Sequence, residues 1–149
     1  MQIRPAAPAD VEQIADFNCR LALESEHREL DPDTVRAGVA ALLADAAHGQ
    51  YFLAVDATEI AGQMLVTYEW SDWRNGQFWW IQSVYVAPPY RRSGVFSNLL
   101  AHVRALAEQR SDVCGLRLYV ENANTRAIAT YAARGLAPTG YSVMELALR

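Results

Sequence analysis

Apolar positions along this chain switch repeatedly between a two-residue and a helical period. Gln2 to Arg4 alternates and is closed by Pro5, which predicts a short first strand. Pro8-Ala9-Asp10 opens a helix whose apolar side is Val11, Ile14, Phe17, Cys19 and Leu21. Asp31-Pro32-Asp33 caps a second helix, with proline in its first turn, that fades near Ala47-His48-Gly49. Tyr51 to Val55 and Ile60 to Glu69 read as strands, the latter with Met64, Val66 and Tyr68 on one face. Asn75-Gly76 is a hairpin-turn signal, and Phe78 to Val86 follows as a long central strand.

Val95 to Gln109 returns to a helical period, with Val95, Leu99, His102, Val103 and Leu106 on neighbouring turns. Leu116 to Val120 alternates as a strand. Thr125 to Arg134 is a helix closed by Gly135, and Tyr141 to Leu148 reads as a last strand. The order is β-α-α-β-β-β-α-β-α-β, which makes one α/β (α+β) sheet with helices on both faces. The β-α-β from Phe78 to Val120 should be a crossover between parallel strands.

Composition narrows the class. A chain of 149 residues, 52% hydrophobic and 20% charged, fits a single folded domain over residues 1–149. No linker, low-complexity stretch or internal repeat interrupts it. A net charge of −4 argues against nucleic acid as a partner. Cys19 and Cys114 have no metal spacing, and His27, His48 and His102 supply no ligand pattern, so no metal is expected. The N-terminus lacks a signal-peptide layout and no apolar run suits a bilayer, so the expected location is cytoplasmic, with no membrane partner.

Chemistry concentrates in Ser83 to Leu100, SVYVAPPYRRSGVFSNLL. A β-branched strand end meets a proline pair, then the basic turn Tyr90-Arg91-Arg92-Ser93-Gly94-Val95, then a helix. Strand, glycine turn and helix in that order gather backbone N–H groups and positive charge into an anion site. In an open sheet, such a site at a strand's C-terminal end is where ligands bind.

Two motifs resemble those of the GNAT superfamily of N-acetyltransferases. One is the acetyl-CoA turn, Arg91-Arg92-Ser93-Gly94-Val95-Phe96, preceded by Val86-Ala87-Pro88. The other is Asn124-x-x-Ala127-x-x-x-Tyr131-x-x-x-Gly135. The resemblance implies a GNAT-like mixed, mostly antiparallel sheet of about six to seven strands. It implies an acyltransferase that moves an acetyl group from acetyl-CoA to a primary amine of a small molecule or peptide, by direct attack and without a covalent acyl-enzyme.

The same resemblance assigns residues. Backbone at Val84 and Val86 would pair with the pantetheine arm. Amides of Arg91, Arg92, Ser93, Gly94, Val95 and Phe96 would hold the pyrophosphate, with Arg91 or Arg92 adding charge. Asn124 would contact the cofactor arm, a role that sits beside its suitability as a helix cap. Tyr131, two turns further along the same helix face, would protonate the departing thiolate. A homodimer accords with the habits of the family.

Two positions depart from the family pattern. Phe96 stands where glycine or alanine is usual, so either its side chain turns away from the cofactor or the turn itself is altered. Gln82 and Ser83 stand where relatives carry an acidic residue, and neither is a base. An alkylammonium with a pKa of about 10.4 must lose a proton before attack, and Glu69, acting through water, is the expected helper. Trp70, Trp73, Glu69 and Asp72 could favour a cationic amine. Glu24-Ser25-Glu26-His27 reads either as reaching the acceptor or as a solvated face. The rival to an enzyme is a catalytically weakened acyl-CoA-binding or regulatory module of the same fold. A nucleotide-binding enzyme would need a P-loop lysine or a ribose-reading acid, and neither pattern is present.

Overall fold

The computed structural model describes residues 1–149. The chain divides into two compact units, Met1–Leu118 and Tyr119–Arg149. The first unit holds strands β1 (Gln2–Pro5), β2 (Gln50–Asp56), β3 (Glu59–Ser71), β4 (Gly76–Val86) and β5 (Val113–Leu118). Its helices are α1 (Val11–Glu26), α2 (Pro32–Ala44) and α3 (Val95–Glu108). Short 3-10 turns at Pro8–Asp10 and Pro88–Tyr90 lead into α1 and toward α3.

The sheet order is β1-β2-β3-β4-β5. The first three pairings are antiparallel, and β4 and β5 run parallel across the α3 crossover, as the strand–helix–strand pattern predicts. The strand count differs from expectation, with five strands rather than six or seven. Tyr141 to Leu148 forms no strand, although its residues suit one. Side-chain pattern sets which face of a strand is apolar, but a ladder also needs a neighbouring edge, and this segment pairs with none. Asn75-Gly76 also departs from a two-residue hairpin: β3 runs on to Ser71, and Asp72 to Asn75 make the connection, with Asn75 left-handed at φ 47°.

Alternation sends successive residues to opposite faces. Phe52, Ala54, Met64, Val66, Trp79 and Ile81 meet Val95, Leu99 and Val103 of α3 in one cluster. Tyr51, Leu53 and Leu65 meet Ile14, Ala15 and Val39 of α1 and α2 in the other. Each fully buried large apolar side chain contributes roughly 1.5–3 kcal/mol. The two clusters therefore hold the helices to both faces and fix the register of β2 and β3. Trp79 packs in the α3-side cluster, and its neighbour Trp80 points to the other side.

Local chemistry sets the helix ends. Asp31 caps α2 by accepting from the Thr34 N–H at 3.0 Å. Asp10, almost buried, accepts from the Ala7 N–H at 2.7 Å and takes both guanidinium nitrogens of Arg4 at 2.8 and 2.9 Å. In the second unit, α4 (Thr125–Ala132) is capped by Asn124, and Gly135 takes φ 89° just past its end. No residue after Leu118 is buried.

Candidate active site

The site in the first unit begins where β4 loses a partner. Its pairing with β5 ends at Ile81↔Leu118, while its pairing with β3 continues to Val86↔Gly62. Gln82 to Val86 is thus bonded on the β3 side and open on the β5 side. The Ala87 N–H donates to the Ala61 carbonyl at 2.9 Å. Antiparallel alternation then turns the N–H and C=O of Val86, and of Val84 two residues earlier, toward the open side.

A bulge marks the start of this segment. Gln63 pairs with Tyr85 and Leu65 with Gln82, so Ser83 and Val84 together oppose Met64. Ser83 takes φ 49°, a left-handed conformation that costs a non-glycine residue energy and needs support from its surroundings. The support is a buried polar network. Gln63 is fully buried and its Nε2 donates to the Ser83 carbonyl at 3.1 Å and to Asn18 Oδ1 at 2.8 Å. The Asn18 Nδ2 donates in turn to the Tyr51 hydroxyl at 2.9 Å, and the Ser83 side chain also bonds Tyr51. Burial raises the Tyr51 phenol above its ordinary pKa, so it remains neutral. The Gln63 Oε1 is buried with no partner, an unpaired acceptor left behind by holding the amide toward Ser83.

Past Val86 the chain makes the Pro88–Tyr90 turn and then enters α3. Arg92 takes φ 63° and Gly94 φ 84°. Gly94 is the N-cap of α3, and its carbonyl accepts from the Asn98 N–H at 2.9 Å. Ahead of Asn98 a helix offers no carbonyl to the amides of its first turn, so Val95 and Phe96 begin an anion-facing end. The α3 start is seated on the sheet at Gly62, where an added Cβ would stand 2.9 Å from the Tyr85 carbonyl and from Val95 Cγ1. The Phe96 side chain packs against the α3-side core, which turns it away from the loop.

The two arginines of the turn differ. Arg91 is committed within the protein: its Nη2 pairs with Glu24 Oε2 at 2.6 Å and its Nε donates to the Val86 carbonyl at 3.0 Å. The Tyr85 hydroxyl donates to the other Glu24 oxygen at 2.8 Å, so Glu24 ties α1 to both β4 and the turn. These bonds hold the Glu24 carboxyl below its ordinary pKa, the Tyr85 bond first and the Arg91 bond second. Burial and the facing Glu24 raise Tyr85. Arg92 is exposed and enters no ion pair, which leaves its guanidinium available to an incoming anion.

Gln82 lies on the sheet face opposite α3 and donates to the Thr67 hydroxyl. Glu69 lies on the same face but at the hairpin end, opposite Phe78, where Arg117 Nη1 pairs with it at 2.9 Å. Four residues separate Phe78 from Gln82, about 13 Å at the rise of a strand. The structure does not bring Glu69 to the open segment of β4. Trp70 and Trp73 flank the same hairpin end and are largely exposed.

In the second unit Asn124 Oδ1 accepts from the Ala127 N–H at 3.0 Å. Tyr131 follows two turns later, partly buried, and burial raises its phenol above its ordinary pKa. No cluster of His, Cys, Asp and Glu side chains could hold a metal ion, and no helix is long and apolar enough to cross a membrane.

The supports of the bulge went unread in the sequence. Gln63 was the available signal, a lone amide inside the apolar run Ala61 to Val66. Asn18 and Glu24 gave less, because on an amphipathic helix a polar residue at the edge of the apolar stripe looks solvated.

Comparison with known proteins accords with this geometry. The family model described as Acetyltransferase (GNAT) family matches residues 12–136. No curated protein gives a match. Among solved structures, a possible acetyltransferase from Clostridium difficile 630 is 42% identical, with a TM-score of 0.95 over 99% of this chain and 97% of that one. A predicted acetyltransferase from Clostridium acetobutylicum, solved with acetyl-CoA, is 17% identical, with a TM-score of 0.79 over 99% and 96%. A ribosomal-protein-alanine N-acetyltransferase from Brucella melitensis biovar Abortus 2308 is 18% identical, with a TM-score of 0.76 over 98% and 99%. Matched by the family model over residues 12–136 and 42% identical to a possible acetyltransferase across nearly its whole length, this chain belongs to the acetyltransferase (GNAT) family.

Proposed function

We propose that the chain is one N-acetyltransferase domain spanning residues 1–149, which transfers the acetyl group of acetyl-CoA to a primary amine. The observation that carries this reading is the open side of β4 from Gln82 to Val86, running directly into the left-handed turn at Arg92 and Gly94. An extended amide-bearing arm fits the first as a strand would, and a pyrophosphate fits the second. Both kinds of group occur in coenzyme A, and the Clostridium acetobutylicum relative was solved with acetyl-CoA.

Bound acetyl-CoA supplies an activated acyl carbon. Val84 and Val86 hold the pantetheine arm through their backbone, and an N–H of this open segment polarises the thioester carbonyl. Amides from Arg92 to Phe96 and the Arg92 guanidinium hold the phosphates, with Ser93 and Val95 in the loop and first helical turn. Arg91 contributes its place in the turn rather than its charge, because Glu24 already holds its guanidinium. Asn124 caps α4 and contacts the cofactor arm. Once a neutral amine attacks the acyl carbon and the C–S bond breaks, Tyr131 donates its phenolic proton to the thiolate, and its raised pKa keeps that proton in place at neutral pH.

The amine proton leaves to water ordered by Gln82 and Thr67, and Glu69, paired with Arg117 at the far end of the hairpin, does not take it directly. Amine-dependent release of free thiol from acetyl-CoA tests the reading. Tight CoA binding without turnover would instead identify the binding module.

A further inference from the structure

We propose that Glu24 is a positioning residue for the phosphate turn. It acts through Arg91 to hold the loop from Arg92 to Gly94 in its binding shape before a cofactor arrives. The inference rests on the reading of that turn as the pyrophosphate site.

Packing fixes where the Glu24 carboxylate stands. Phe17 of α1 and Tyr85 of β4 are both buried, and their ring centroids lie 4.9 Å apart. Glu24 follows Phe17 by two helical turns, so it shares that face of α1 and is carried to the Tyr85 hydroxyl. The hydroxyl donates to Oε1 at 2.8 Å, which orients the carboxylate and leaves Oε2 for Arg91 Nη2 at 2.6 Å. Arg91 meets two further groups. Its Nε donates to the Val86 carbonyl at 3.0 Å, and its guanidinium carbon lies 5.5 Å from the Tyr85 ring centre. The Arg91 and Glu24 side chains are 45% and 44% exposed, and an ion pair so open to water adds little by itself. Its consequence is local, because a long side chain held by a carboxylate, a carbonyl and a ring keeps one conformation.

That conformation anchors one side of the loop. The other side is anchored by the Ser93 hydroxyl, which donates to the Tyr90 carbonyl. Arg92 lies between the two anchors at φ 63°, a left-handed backbone that a non-glycine residue keeps only when its surroundings hold it. A loop ordered in advance loses less freedom when a ligand binds, so affinity rises without any contact from Glu24 to the ligand.

Calorimetric titration of CoA into wild type, Glu24→Gln, Arg91→Ala and the double variant tests this. The glutamine keeps an oxygen for the Tyr85 hydroxyl and removes the charge that holds Arg91. Kd for CoA should rise roughly threefold or more in Glu24→Gln. The same substitution in the Arg91→Ala background should produce no further rise, because the residue through which it acts is gone. In turnover, KM for acetyl-CoA should rise with Kd while kcat holds. Wild-type affinity in Glu24→Gln would overturn the proposal. So would an equal further loss in the Arg91→Ala background, or a fall in kcat with KM unchanged. A wild type that binds no CoA would remove the pyrophosphate reading itself, and this proposal with it.

Discussion

Gln63 donates from its carboxamide nitrogen to the Ser83 carbonyl at 3.1 Å and so holds the bulge that opens β4. Gln63→Leu removes the donor that supports a left-handed serine and leaves the Asn18 Oδ1 and the Ser83 carbonyl unsatisfied. The expected loss is about 1–3 kcal/mol of stability, read by urea denaturation. KM for acetyl-CoA should rise more than that for the amine, because the bulge shapes the cofactor edge.

Arg91 and Arg92 are adjacent and predicted to behave differently. Arg92→Ala removes a free cation, and a charge-assisted hydrogen bond of about 1.5–3 kcal/mol corresponds to an increase in KM for acetyl-CoA of roughly tenfold or more. Its melting temperature should stay near wild type. Arg91→Ala releases Glu24 and the Val86 carbonyl, so a lower melting temperature should accompany any change in KM. Gly94→Ala meets no neighbour but forces φ 84° on a side chain, at a cost of roughly 1–2 kcal/mol.

Asp10 gives the chain an acid limit. The Arg4 guanidinium, ahead of the Ala7 amide, lowers the Asp10 pKa on folding. A carboxyl lowered in this way contributes stability that is complete above the unfolded value of about 3.9. That stability is lost as pH falls through the lower folded value. Denaturant midpoints should therefore drop below about pH 4, and Asp10→Asn should flatten that part of the profile while lowering the plateau by about 1–3 kcal/mol.

Tyr131→Phe removes the proposed acid and leaves the ring. The expected fall in kcat is about 10²-fold or more, with little change in KM for acetyl-CoA. An unchanged kcat would assign Tyr131 to packing in α4 alone.

Legibility in the sequence followed the range of the forces involved. Periodicity located every helix and the first five strands; α1 to α3 and β2 to β4 bury an apolar face against a neighbour, whereas β1, β5 and α4 hold no buried residue. Asp31, Asn124 and Gly135 marked helix ends through their own backbone chemistry. Tyr141 to Leu148 misled because its pattern describes a strand face and says nothing of whether an edge is there to receive it. Arg91 was legible as part of a basic turn, but its pairing with Glu24 spans 67 positions of chain. Gln63, Asn18, Tyr51 and Ser83 lie on four different elements, so no local window holds the network.

Acetyl transfer itself is the most direct test of the central claim. Purified protein is incubated with acetyl-CoA and a panel of small-molecule and peptide amines. Free thiol and acetylated product are followed together, for wild type and Tyr131→Phe. The account predicts amine-dependent thiol release, an acetylated amine in equal amount, and a marked loss of both in the variant. Tight CoA binding with no amine-dependent release from any acceptor would contradict it.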